Sequence, residues 1–270
     1  MDWSRTKTIF IIVFSILNIF LYTLYVDRYT EAENFSDLAE PQVDERLDGD
    51  NITYPEDLQS DPEEEPYISG TRQAFTNEQV LVEDAKATIV EDYLLDVSFD
   101  EPINLGEDPD TESLEDFLAA NVYEGGKYTL WDVVEEENKA IFFQVINEKT
   151  LYHSDSGSVT LYWNEEGQAV RYEQTLFTNL VENEQAKDLI SPKRAIETLY
   201  QNGMLQQNSA ITSANLGYSV YVAVSDDTRM FLPTWRFIVE LEDGSTADYY
   251  VNAIKDGVIE FKQAEEEGSE

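Results

Sequence analysis

His153 is the only histidine in the chain, and His153-Ser154-Asp155-Ser156 places the three side-chain types of a nucleophilic triad within four positions. A working triad needs an imidazole that takes the hydroxyl proton while a carboxylate orients the ring. Segments meeting in space supply that geometry; neighbours in one turn do not. The polar "SDSG" therefore reads as a tight turn with a solvated histidine at its start. Carboxylates are abundant, 56 Asp and Glu against 17 Lys and Arg, so a glycosidase-like pair exists on paper and no spacing singles one out. "EDPDTES", Glu107 to Ser113, gathers oxygen ligands as a calcium loop does. It lacks the glycine and the spacing of an EF-hand loop, and the cap of the helix that follows accounts for it. The chain has no cysteine, which removes thiol catalysis, cysteine-ligated metal, disulfides and a lipidated cysteine. Gly125-Gly126 reads as a helix stop, not a phosphate loop. No catalytic or metal residue and no cofactor is assigned, and the chain reads as a non-enzyme.

The other polar groups whose placement carries information lie in an apolar run. Ile9 to Val26 is 18 residues with no ionisable side chain except two tyrosine phenols. At about 1.5 Å per residue it would rise about 27 Å, near the thickness of a hydrocarbon core. Asn18 is its one amide, Ser15 lies one turn earlier, and Thr8 and Tyr22 extend that face at heptad spacing from Ser15. In lipid, packing and interhelical hydrogen bonds drive association, so Thr8, Ser15, Asn18 and Tyr22 form the expected helix-interaction face. Trp3, Arg5 and Lys7 on one side and Tyr25 and Tyr29 on the other are the expected interfacial anchors. "LYTLYVDR" offers no small residues for signal cleavage, so an uncleaved anchor is expected, with the N-terminus in the cytoplasm and the rest outside.

The elements that must carry these groups read as follows. Residues 1–8 are the cytoplasmic N-terminus and 9–26 the transmembrane helix. Residues 27–66 are an acidic stalk, broken by Pro41, Pro55, Pro62 and Pro66, whose second half joins the fold. Residues 67–183 form a first α+β module. Within it, "TNEQVLVEDA" is a short helix capped by Thr76 or Asn77, and "YLLDVSFDEPI" a strand ended by Pro102. "DTESLEDFLAANVYEGG" is a helix opened by Asp110 or Thr111 that buries Leu114, Phe117 and Leu118. "KYTLWDVV", "AIFFQVI", "TLYH", "SVTLYW" and "QAVRYEQTLF" are strands joined by short polar turns. Residues 184–262 repeat the plan with a helix over "SPKRAIETLYQNG", capped by Ser191 with Pro192 in its first turn and Gly203 past its end. Strands "LGYSVYVAV", "PTWRFIVEL", "ADYYVNAI" and "GVIEF" follow. Residues 263–270 are an acidic disordered tail. The fold class is α+β, with each helix against an antiparallel sheet.

The net charge of −39 leaves no basic patch to meet phosphates, so nucleic acid is excluded as a partner and the bilayer is met through the N-terminal helix. The acidity also suits an exported domain in a saline or alkaline exterior.

"MDWSRTKTIFIIVFSILNIFL", "ITYPEDL", "PYISG", "FLAANVYEGGKY", "IFFQ", "LISPKRAIETLYQNG", "LGY", "FLPTWRF" and "YVNAIKDGVIE" stand in the order and spacing of the YycI proteins. The chain resembles that family over nearly its whole length, least in Asp27–Asp50 and in the tail "AEEEGSE". The resemblance implies a membrane-anchored regulator in a low-GC Gram-positive bacterium. It would work with a YycH-type protein and the WalK/YycG sensor histidine kinase through transmembrane helices and exterior domains, and so control cell-wall metabolism. It also implies no enzymatic activity. The "PTWRF…YVNAI…G" ending is similar to the PepSY module as a fold analogy. Two other classes stay open from the residues: a cell-wall or peptide ligand-binding module with its tyrosine-rich strands as the surface, and a hydrolase with two converging carboxylates.

Overall fold

The computed structural model describes residues 7, 10–11, 13–22, 43–55, 58, 64–82, 84–106 and 109–261. The chain divides into two compact units, Met1–Thr53 with Gln206–Asn208, and Tyr54–Leu205 with Ser209–Glu270.

In the first unit every described residue between 7 and 22 is helical. The longest uninterrupted described stretch is 13–22, which rises about 15 Å at the α-helical pitch. Among the described residues no helix is long and apolar enough to cross a membrane. Of the expected span 9–26, residues 9, 12 and 23–26 lie outside the described residues, as does most of the stalk. A short helix α1 (residues 43–49) follows, with Val43 and Leu47 buried. Asn51 ends it in the left-handed region (φ 54°), and the Ile52 amide donates back to the Leu47 carbonyl at 2.8 Å. That is a Schellman-type stop with asparagine in place of glycine. Residues 206–208 clasp this turn: Gln207 donates to the Asp50 carboxylate (2.8 Å) and Asn51 to Asn208 (3.1 Å).

The second unit is mixed α+β. Strands β1 (Glu64–Glu65) and β2 (Ile68–Arg72) open it, then β3 (Ala85–Val90) and β4 (Leu94–Asn104). Helix α2 (Thr111–Asn121) leads to β5 (Tyr128–Val134), β6 (Lys139–Ile146), β7 (Lys149–Tyr152), β8 (Ser158–Trp163), β9 (Gln168–Gln174), β10 (Phe177–Glu182) and β11 (Lys187–Asp188). Helix α3 (Pro192–Gln201) precedes β12 (Ala210–Ala223), β13 (Thr228–Glu240), β14 (Thr246–Asn252) and β15 (Gly257–Ile259).

Antiparallel neighbours β3-β4-β9-β8-β6-β5 make one region of sheet. Alternation along β4 and β8 buries Leu95, Val97, Val159 and Leu161, and α2 lays Leu114, Phe117 and Leu118 on the same core. Asp110 caps α2 by accepting from the Ser113 amide at 2.9 Å. Gly125 follows its end where a Cβ would lie 1.9 Å from the Leu118 carbonyl oxygen, so only glycine permits the close return.

The second region centres on β13. It pairs with β12 along one side; along the other it pairs with β2 (residues 228–231) and then β14 (residues 234–240). β10 adds outside β2, and β15 outside β14. β7 joins the two regions, antiparallel to β6 and parallel to β12. At that junction a Cβ on Gly217 would fall 2.3 Å from the Tyr152 ring, so the close parallel approach again requires glycine.

Two sequence expectations are corrected. Among the described residues of "TNEQVLVEDA" only Asn77–Gln79 are helical, a three-residue 3-10 turn closed by a capping box between Thr76 and Gln79. Val80 and Val82 pack on the core in alternation, and β-branched residues favour that extended path over a helix. β4 runs through Pro102 to Asn104 instead of ending there. Its register with β9 slips between Ser98 and Ile103, so Pro102 sits in a bulge where no ladder donor is needed. Strand pairing also crosses the boundary drawn at 183/184, since β2 and β10 belong to the sheet of β13.

Candidate functional site

The N-terminal helix places Ser15, Asn18 and Tyr22 at positions i, i+3 and i+7 of one helical run, which puts them on one face. All three are exposed, as is Lys7, and so are their apolar neighbours Phe14, Leu17 and Phe20. Asn18 Nδ2 donates to the Phe14 carbonyl at 2.9 Å. That occupies one of the four hydrogen bonds a carboxamide can make. Thr8, Trp3, Arg5, Tyr25 and Tyr29 lie outside the described residues.

In the second unit His153 ends β7 on a turn, with φ 41°. The Ser-His-Asp arrangement does not assemble. Ser154 donates to Asp155 (3.4 Å), and the Asp155 carboxylate is held by Arg229 at 2.8 Å. His153 Nε2 instead meets the Tyr250 hydroxyl at 2.9 Å. The residue is exposed on its turn as expected, but its ring is not bare. Trp131 of β5 and Phe143 of β6 meet it edge-on at 5.3 Å, Tyr250 of β14 at 5.4 Å, and Phe261 lies tilted at 4.8 Å. Phe261 also stands edge-on to Tyr250 at 4.8 Å, and Tyr152 stacks obliquely on both Trp131 and Tyr250. Edge-on and tilted pairs suit the ring quadrupoles.

A charged pair backs this cluster. Arg236 of β13 lies 3.9 Å over the Trp131 ring and donates to Asp248 of β14 at 2.7 Å. Strand register sets this up, since Arg236 pairs with Tyr250 and Asp248 stands two residues along β14. The Tyr250 phenol reaches the same carboxylate at 3.3 Å. Burial, with the Asp248 charge behind it, holds the Tyr250 phenol far above its ordinary value against the opposing pull of Arg236. Burial also pushes the Tyr152 phenol up to about 12. The His153 imidazole is held below its ordinary value by burial, Asp248 pulling the other way and Arg236 adding to the depression. At neutral pH the ring is therefore uncharged.

A cavity of about 690 Å³ opens on this cluster, lined by His153, Tyr249, Tyr250 and Phe261 together with Asp248 and Glu260. With phenols this hard to ionise, the Tyr250 hydroxyl that meets the histidine among them, the arrangement supports binding better than proton transfer. Spacing does not reveal it, because its rings come from β5, β6, the turn after β7, β14 and the residues just past β15. The paired tyrosines of "DYYV" are the one local hint. Among the described residues no group of three His, Asp or Glu could hold a metal ion. Asp110 of "EDPDTES" is the α2 cap; Glu107 and Asp108 lie outside the described residues.

Among solved structures the fold is similar to an uncharacterized protein from Eubacterium rectale, at TM-score 0.46 and 8% identity, covering 79% of this chain and 92% of that one. It is also similar to YycH from Bacillus subtilis, at TM-score 0.41 and 10% identity, covering 71% of this chain and 53% of that one. No curated protein matches. The YycI family model matches residues 31–254, most of the chain, and the chain therefore belongs to the YycI family.

Proposed function

We propose that the protein is a non-enzymatic, membrane-anchored regulator that acts outside the cytoplasm on a WalK/YycG-type sensor histidine kinase, together with a YycH-type protein. Family membership carries this reading: YycI is a regulatory family of the YycG/WalK system and not an enzyme family. The apolar run 9–26 with its basic N-terminal flank supports the anchor, N-terminus inside and the second unit outside. The exposed face bearing Ser15, Asn18 and Tyr22 supports helix-to-helix contact with the partners, because an amide is better satisfied by a neighbouring helix than by lipid, by about 0.6–2 kcal/mol.

Phosphorylation of the partner response regulator, measured in a deletion strain and in a strain complemented with Asn18→Leu, tests this. Deletion should change the phosphorylated fraction, and Asn18→Leu should reproduce part of that change with lowered crosslinking to the kinase. An unchanged fraction on deletion would remove the regulatory reading. Wild-type signalling by Asn18→Leu would remove the polar face alone. Full function of the exterior part on an unrelated transmembrane helix would move recognition out of the membrane.

A further inference from the structure

The cavity beside His153 has a composition that the kinase reading does not use. Its rings are already assembled, with His153, Tyr250 and Phe261 in mutual contact at 4.8–5.4 Å. Carboxylates of Asp248 and Glu260 stand at its wall, and among the described residues that line it there is no lysine or arginine. From this geometry we infer that the cavity is a binding site for an organic ammonium group, presented by a free quaternary or primary amine or by a lysine-type side chain of a peptide.

Ring faces carry the negative lobe of the quadrupole, and a cation within about 6 Å of a ring centroid gains about 0.5–2 kcal/mol per favourable contact. Several faces converging beside a carboxylate select a cation over a neutral group of the same shape. The molecule already holds one of its own cations this way at the back of the same cluster. Arg236 lies between the Trp131 ring, at 3.9 Å, and Asp248, at 2.7 Å. On its open side the cavity again sets rings beside carboxylates, those of Glu260 and of Asp248, which Arg236 holds from behind. Partial burial of the ring among its aromatic neighbours holds the His153 imidazole below its ordinary value, so at neutral pH it presents a ring and not a competing positive charge. The volume, about 690 Å³, suits a small ligand or one side chain with its flanking backbone. The net charge of −39 raises the local concentration of cations around the whole domain.

The test is calorimetric titration of the full chain in maltoside micelles with choline and with Nα-acetyl-lysine amide. Each is paired with its neutral isostere, 3,3-dimethylbutanol and Nα-acetylnorleucine amide. The cation of at least one pair should bind about tenfold or more tighter than its isostere, and which pair responds names the source. Phe261→Ala and Glu260→Gln, both at partly or fully exposed positions, should each weaken that binding about three- to thirtyfold with an unchanged circular dichroism spectrum. Isosteres binding as well as the cations, no saturation by about 100 mM, or full affinity in both variants would overturn the assignment. Loss of binding in these variants with signalling intact would separate this site from kinase regulation.

Discussion

Helices α2 and α3 each begin on a side-chain cap and each lie on a sheet, but different physics seats them. α2 buries Leu114, Phe117 and Leu118 among aliphatic and aromatic strand residues, and the groups it hides are apolar. α3 buries Ala195, Ile196 and Leu199 and, with them, Glu197 and Thr198. Arg194 reaches Glu197 at 3.0 Å and Asp256, in the β14–β15 turn, at 2.9 Å, while Thr198 donates to Asp256. An apolar seat tolerates any orientation that stays dry, whereas a polar clamp fixes one orientation and fails if one member leaves. The helix on the side of the aromatic cavity is thus the one seated by charge.

The comparison can be broken most forcefully on the apolar side. Leu118 is 1% exposed, so Leu118→Ala should lower unfolding free energy by about 3–5 kcal/mol in denaturant titration, through lost transfer and a residual cavity. Next, Arg194→Met removes the guanidinium that pairs with the Glu197 carboxylate, whose side chain is 3% exposed, and should destabilise by about 3 kcal/mol. Adding Glu197→Leu to Arg194→Met should recover most of that loss; failure to recover would mean that packing, not charge, seats α3. Smaller again, Asp110→Ala and Ser191→Ala each remove a cap and should cost about 1 kcal/mol, equally in the two helices. A clear inequality there would show that the ends, not the faces, distinguish them.

The smallest effect is a pH dependence centred on His153. The folded His153 pKa lies below the unfolded value of about 6.5, so the unfolded chain binds the proton first. Stability is complete above about pH 6.5 and is lost as pH falls through the depressed folded value, then levels off. Asp248, Arg236 and Tyr250 face the ring, and Asp248 limits the loss. Hydrogen exchange should accelerate in β14 and β15 before β8 and β9 on acidification, and His153→Gln should flatten that difference.

Much of the fold could be read from residue patterns because the signals are local. Asp110 and Ser191 cap the two helices, Pro192 sits in the first turn of α3, and the alternating Trp235, Phe237 and Val239 are buried in β13. Legibility ended where a distant partner decided the outcome. Pro102 reads as a stop until β9 supplies a bulge, and "TNEQVL" reads as a helix until the core claims Val80 and Val82 in alternation. His153 was legible as a turn residue but not as the centre of a ring cluster drawn from separate strands. Repeated carboxylates hid Asp248 and Asp256 among more than fifty others; strand register distinguishes the first, and the contacts of α3 the second.

The tandem pairing of β13 has a consequence for the order in which the protein comes into being. Thr71 of β2 pairs with Thr228 of β13, more than half the chain later. During synthesis β2 and β10 can meet, but the strand that flanks β2 on its other side emerges after both. Loop closure over that separation is slow, and the waiting β2 edge is a template for wrong strand pairing. Premature termination anywhere before Thr228 should therefore yield an aggregating product, not a smaller working domain.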